Sequence, residues 1–201
     1  MITEVLPGSR WMRKSSFTMA LIIVLMSACA SNSELVLSKL DPKTSVTINY
    51  DKSPFIFFRS LSPTQADAKE YVYVGPLEVN RSGDYRYYLW VATWSTMDNA
   101  QAVRRRDRFE SIEVVADGAP LALKTSGASL ETIGASEPVY PKPVGWATEN
   151  YYDVTLAQLR VIAESTELQL QFTATGETYL PWDDQESSMD GLREFLFRSE
   201  F

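Results

Sequence analysis

The chain of 201 residues contains no histidine and a single cysteine. Without histidine, the commonest general base at neutral pH and the commonest transition-metal ligand are both missing. Ser-His-Asp and Cys-His catalysis are excluded, and zinc sites are disfavoured. One cysteine allows no internal disulfide, so the fold has to be held by packing. Basic residues are also in short supply: 19 Lys and Arg face 26 Asp and Glu, for a net charge of −7. That acidity argues against nucleic acid as a partner. Long apolar runs are scarce too, and the one strong example ends at the cysteine.

That run is preceded by Arg13 and Lys14, continues from Phe17 through Met26, and closes on Ser27, Ala28 and Cys29. A basic start, a short apolar stretch and small residues are the layout of a secretory signal peptide. From Phe17 to Ala28 there are 12 residues, whereas a membrane-spanning helix needs about 20. Met12 is the expected start of translation, because Met12-Arg13-Lys14 opens a compact signal peptide that residues 1–11 do not serve.

The sequence Leu25-Met26-Ser27-Ala28-Cys29 resembles the lipobox of bacterial lipoproteins, with Met26 in place of the usual leucine. The resemblance implies a thioether-linked diacylglycerol on Cys29 and a further acyl chain, such as palmitate, on its amine. At about 0.8 kcal/mol per buried CH₂, two or more chains anchor a protein stably where one is marginal. In this class an aspartate after the cysteine retains the product in the inner membrane. Ala30 stands there, which implies the outer membrane, with the protein facing the periplasm. The expected organisation is a signal peptide over 1–28, a lipidated tether over 29–43 and one β-rich periplasmic domain over 44–201. Residues 1–28 hold three basic residues and one acidic residue, so the mature chain carries −9.

Within the domain, 45–50 alternates with period two and is rich in β-branched residues, as a half-buried strand would be, and 55–59 is a second strand. The segments 70–79 and 85–94, joined by a Gly-containing turn, read as a hairpin. Its second arm is apolar on both faces, which places it mid-packing. Gly75-Pro76 marks a bulge or an edge, since proline cannot donate to a ladder. A second hairpin, 111–115 with 120–123, turns at Asp117-Gly118. From Lys124 to about Asn150 the Gly-, Ser- and Pro-rich chain reads as an extended loop. Thr155 and Gln158 have capping-box spacing for a short helix to about Ser165, 167–173 alternates as a strand, and a last helix carries Leu192, Phe195 and Leu196 on one face. Leu35-Val36-Leu37 fits either a strand or surface packing. The fold class expected is mainly β, α+β by count: an antiparallel β-sandwich or open barrel with two short helices in the C-terminal third.

Two motifs are candidate contact sites. Arg104, Arg105, Arg106 and Arg108 form a basic cluster in an acidic protein, suited to phosphate or carboxylate groups. The competing explanation is a solvated connection whose arginine stems cover apolar neighbours. Tyr140, Trp146, Tyr151 and Tyr152 offer an aromatic contact loop for sugar rings or a peptide. The same rings can instead pin an irregular loop to the sheet. The carboxylates of Asp183, Asp184, Glu186 and Asp190 lack calcium-loop spacing and fit a helix start better. No cofactor, metal or catalytic constellation is indicated. The expected function is a non-enzymatic binding or envelope-assembly module whose partner is another envelope protein or a glycan. The alternative is a periplasmic hydrolase using carboxylates on carbohydrate or lipid. A third reading, a ligand-carrying barrel, requires a continuous apolar cavity.

Overall fold

The structure, a computed structural model, describes residues 34–61, 68–97, 106–183 and 185–199, without the side chains of Arg106 and Asp107. The chain divides into Met1–Glu34 and Leu35–Phe201. The second unit holds every element below. The signal segment and Cys29 lie outside the described residues.

Among the described residues, ten strands and two α-helices follow in the order β1 (Val36–Asp41), β2 (Val46–Asp51), β3 (Phe55–Ser60), β4 (Lys69–Arg81), β5 (Asp84–Ser95), β6 (Ser111–Ala116), β7 (Ala119–Gly127), β8 (Thr148–Asp153), α1 (Leu156–Glu164), β9 (Leu168–Phe172), β10 (Glu177–Pro181) and α2 (Glu186–Ser199). The domain is mainly β with two late helices, as its alternating patterns require. The sheet closes on itself: eight strands form an antiparallel barrel in the order β4-β5-β8-β7-β6-β9-β10-β3 and back to β4. Closure removes the exposed edges that an open barrel would leave.

β4 is long enough to pair along its whole length with β5 while its other edge serves two partners. Lys69 to Val74 pair with β3, and Leu77 to Asn80 pair with β2, which carries β1 beyond it. Gly75 and Pro76 fall in the gap between those ladders, where a residue without an N–H is tolerated. β1 occupies residues assigned by sequence to the tether, so strand pairing begins at Val36. The hairpin turns Ser82-Gly83 and Asp117-Gly118 both have positive φ at both positions, the geometry of two-residue turns that match strand twist.

Alternation sorts the side chains into two cores. Inward-facing Phe57, Val72, Leu89, Ile112, Leu170 and Phe172 fill the barrel and meet Leu159, Ile162, Leu192 and Phe195 from the helices. The helices thus close one end. α1 starts with the expected capping box between Thr155 and Gln158, which satisfies two otherwise orphaned helix-end groups. Outside the barrel, Leu77, Val79, Tyr88, Trp90 and Tyr151 form a second core under the segment 128–147. That explains why β5 is apolar on both faces. A pocket beneath the helices, lined by Phe55, Phe57, Leu89, Val114, Leu159 and Leu192, measures about 10 Å³, the size of one water molecule. That space is too small for a carried ligand.

Candidate binding face

The end opposite the helices is plugged by charge. Arg59 ends β3, Glu70 begins β4, Arg108 precedes β6, and Glu177 and Tyr179 lie on β10. Arg108 Nη1 is 2.8 Å from Glu70 Oε1, and Arg59 Nη2 is 2.8 Å from Glu70 Oε2 and 2.6 Å from Glu177 Oε1. Arg108 Nε lies 3.0 Å from Glu177 Oε2 but without the alignment of a hydrogen bond. The Tyr179 hydroxyl donates to Glu70 Oε2 at 2.9 Å and accepts from Arg59 and Arg108. Burial opposes the charge on Glu70, yet Arg108 and Arg59 hold its carboxyl below the usual range. Burial raises the Tyr179 hydroxyl well above its ordinary value, and Glu70 adds to the effect. The Arg108 guanidinium also sits 4.8 Å from the Phe172 ring centroid, a desolvated cation–π contact.

This network revises the arginine cluster. Arg104 and Arg105, with the side chain of Arg106, fall outside the described residues. Arg108 is buried, with all its charge committed to Glu70 and Glu177. It is thus not available as part of an external anion grip. Its partners are distant in sequence, so no local pattern announced them.

The aromatic loop is revised in the same way. Tyr140 is buried, stacked on Trp90 at 4.6 Å and edge-on to Tyr50 at 5.3 Å, with its hydroxyl donating to the Pro76 carbonyl at 3.1 Å. Tyr151 and Tyr152 are buried in β8. These three rings pin the 128–147 segment and seal the barrel, and they are withdrawn from any ligand. The loop is also fastened by Asp41, whose carboxylate accepts from the backbone and hydroxyl of Ser136 and from the N–H groups of Lys43 and Thr44. Those donors, led by Ser136, hold its pKa well below the usual carboxylate range. Trp146 alone of the four stays exposed, at 62%.

Strand register assembles a face that no local motif contained. Leu180 is paired with Phe58, Phe58 with Tyr71, and Tyr71 with Trp94, so one row of large side chains crosses β10, β3, β4 and β5 on the outer surface. Tyr71 stacks on Trp94 at 4.8 Å, while Trp182 stands edge-on to Phe58 at 5.1 Å and to Tyr71 at 5.2 Å. Lys69 Nζ lies 4.9 Å from the Trp182 ring centroid. Trp146 joins the margin, its indole N–H reaching the Ser95 carbonyl at 3.4 Å. Leu180 is 50% exposed and Trp182 43%. The Trp94 indole N–H is buried without a hydrogen-bond partner, an unmet donor of the kind that calls for explanation in a native fold. Aromatic pairs contribute about 0.5–1.5 kcal/mol each beyond area burial. The rings are therefore held in place, in a geometry suited to contact.

Of the carboxylates near the last helix, Asp183 stands at its start, Asp190 lies within it, and Asp184 falls outside the described residues. Asp183 accepts from the Gln185 backbone at 3.2 Å, and Asp190 pairs with Arg193 at 3.1 Å. No protein family, no curated protein and no solved structure matches the chain.

Proposed function

We propose that the chain is a lipoprotein fastened through Cys29 to the outer membrane, facing the periplasm, where its barrel binds another envelope component without catalysing a reaction. The lipobox resemblance supports the anchor. The observation that carries the binding reading is the ordered outer row of Leu180, Phe58, Tyr71 and Trp94, flanked by Trp182 and Trp146. Leu180, Trp182 and Trp146 are exposed while Phe58, Tyr71 and Trp94 are half-buried between them; exposed apolar patches mark interaction sites, and rigid Tyr and Trp rings give contact area at low entropic cost. The apolar side chains packed inside the barrel against the two helices favour its surface as the place for recognition. The carboxylates that come together, Glu70 and Glu177, are neutralised by two arginines, which makes them poor candidates for the hydrolase alternative.

The reading is tested in two arms. Radiolabelled palmitate should enter the wild-type protein and not Cys29→Ala, and a label retained in the variant would refute the anchor. Affinity capture from solubilised envelope should retain a partner on the wild type that is lost from Trp182→Ala with Tyr71→Ala. Truncating central aromatics typically removes 2 kcal/mol or more of binding energy, about thirtyfold in affinity. Undiminished capture by the double variant would refute the binding face.

A further inference from the structure

The barrel seam between β9 and β10 is only partly zipped. Their ladder runs from Glu177 with Phe172 to Tyr179 with Leu170 and stops there. Beyond it, Leu180 and Pro181 turn to β3, while Leu168 and Gln169 pair only with β6. A groove of about 350 Å³ opens where the two strands part, between the end of α1 and the start of α2. That volume lies in the ~300–1,000 Å³ range of ligand sites.

The chemistry of its lining is one-sided. Leu168, Leu180 and Met189 supply apolar wall, and Glu167 and Asp183 supply exposed carboxylates. The hydroxyl hydrogens of Ser165 and Thr166 are already spent on Ile162 O and Asp117 Oδ1. Gln185 is only 7% exposed, and its Nε2 donates to the Ile56 carbonyl, leaving Oε1 buried without a donor. Gln185 also holds a left-handed φ of 54°, a conformation that costs a non-glycine residue about 1–3 kcal/mol. Apart from the Gln169 amide and the second N–H of Gln185, the polar side chains here offer acceptors and lack hydrogens to give. An occupant must bring N–H donors, positive charge and an apolar neighbour.

We infer that the groove receives an extended basic peptide segment of a partner protein, one Lys or Arg directed to Glu167, Asp183 and Gln185, with an adjoining apolar side chain on Leu168 and Leu180. The groove follows the line along which the two strands part and so suits an extended guest, whose side chains meet the acceptors and the apolar wall along it. The net charge of −7 draws a basic guest in and speeds encounter.

The test is fluorescence anisotropy of the full-length protein in detergent with a labelled hexapeptide of alternating lysine and leucine, and with its counterpart carrying glutamine for lysine. Amide NMR shifts locate the contact. The lysine peptide should bind, weaken about tenfold on Glu167→Gln with Asp183→Asn, and weaken similarly from low salt to about 300 mM. The glutamine peptide should bind about tenfold less tightly to the wild type, and shifts should centre on Leu168, Leu180 and Met189. Absence of binding, equal affinity of the two peptides, or equal affinity of the two proteins would overturn the proposal. So would shifts centred on Phe58, Tyr71 and Trp94, an outcome that would leave the aromatic binding face standing. Self-association abolished by the double variant would instead assign the groove to a second copy and overturn the basic-peptide occupant.

Discussion

Asp51 closes β2 fully buried, with Oδ1 accepting the Ser53 N–H at 2.9 Å and Oδ2 without any partner. α2 presses on it so closely that a methyl group on Gly191 would overlap the carboxylate. Burial pushes this carboxyl up to about 7. The folded chain therefore keeps a proton that the unfolded chain releases near pH 4, and stability falls as pH rises between those values. Asp51→Asn should match the wild type at about pH 4 and exceed it at pH 8 by on the order of 1–3 kcal/mol. Urea unfolding at the two pH values measures this, and a pH-independent difference would contradict it. Arg108 behaves oppositely, since its removal strands Glu70 in the interior. Arg108→Leu should cost about 3–5 kcal/mol, and adding Glu70→Leu should restore much of the loss because a packed apolar pair can replace a buried ion pair. Both variants are read from denaturant midpoints.

At the scale of elements, the outer core depends on Tyr140 lying flat over Gly75. A side chain at position 75 would enter the Tyr140 ring. Gly75→Ala should cost about 1–3 kcal/mol, as overpacking does, and the double variant Gly75→Ala with Tyr140→Ser should cost less than the sum of the two single changes. Thermal melts of the three variants decide it. The β4–β5 hairpin, the Asp117-Gly118 turn, the capped α1 and the alternating β9 were legible because each is written in a few adjacent residues. β8 was not: Asn150, Tyr151 and Tyr152 are all buried, between β5, β7 and the covering loop, so it lacks the alternation that marks a strand. β10 has one inward residue that is fully buried, Tyr179, and ends on Pro181, which reads locally as a turn. The candidate site was less legible still. Arg104 to Arg108 drew attention as a run, yet Arg108 answers to Glu70 and Glu177. Leu180, Phe58, Tyr71 and Trp94 became neighbours only through the register of four strands.

For the whole molecule, two different plugs finish one barrel. Apolar helix faces close one end, and a neutral cluster of two arginines, two glutamates and a tyrosine closes the other. The apolar cluster inside the barrel supplies the packing that a chain without disulfides needs. In the proposed function recognition falls to the surface, where the aromatic row sits on β10, β3, β4 and β5, and β7 lies across the ring from β3. The most direct measurement is photo-crosslinking in the native host, with a photoreactive residue at Trp182 and, separately, at exposed Lys124 on β7. The account predicts a discrete adduct from position 182 and none from position 124. Adducts from position 124 alone, or identical patterns from both, would contradict it.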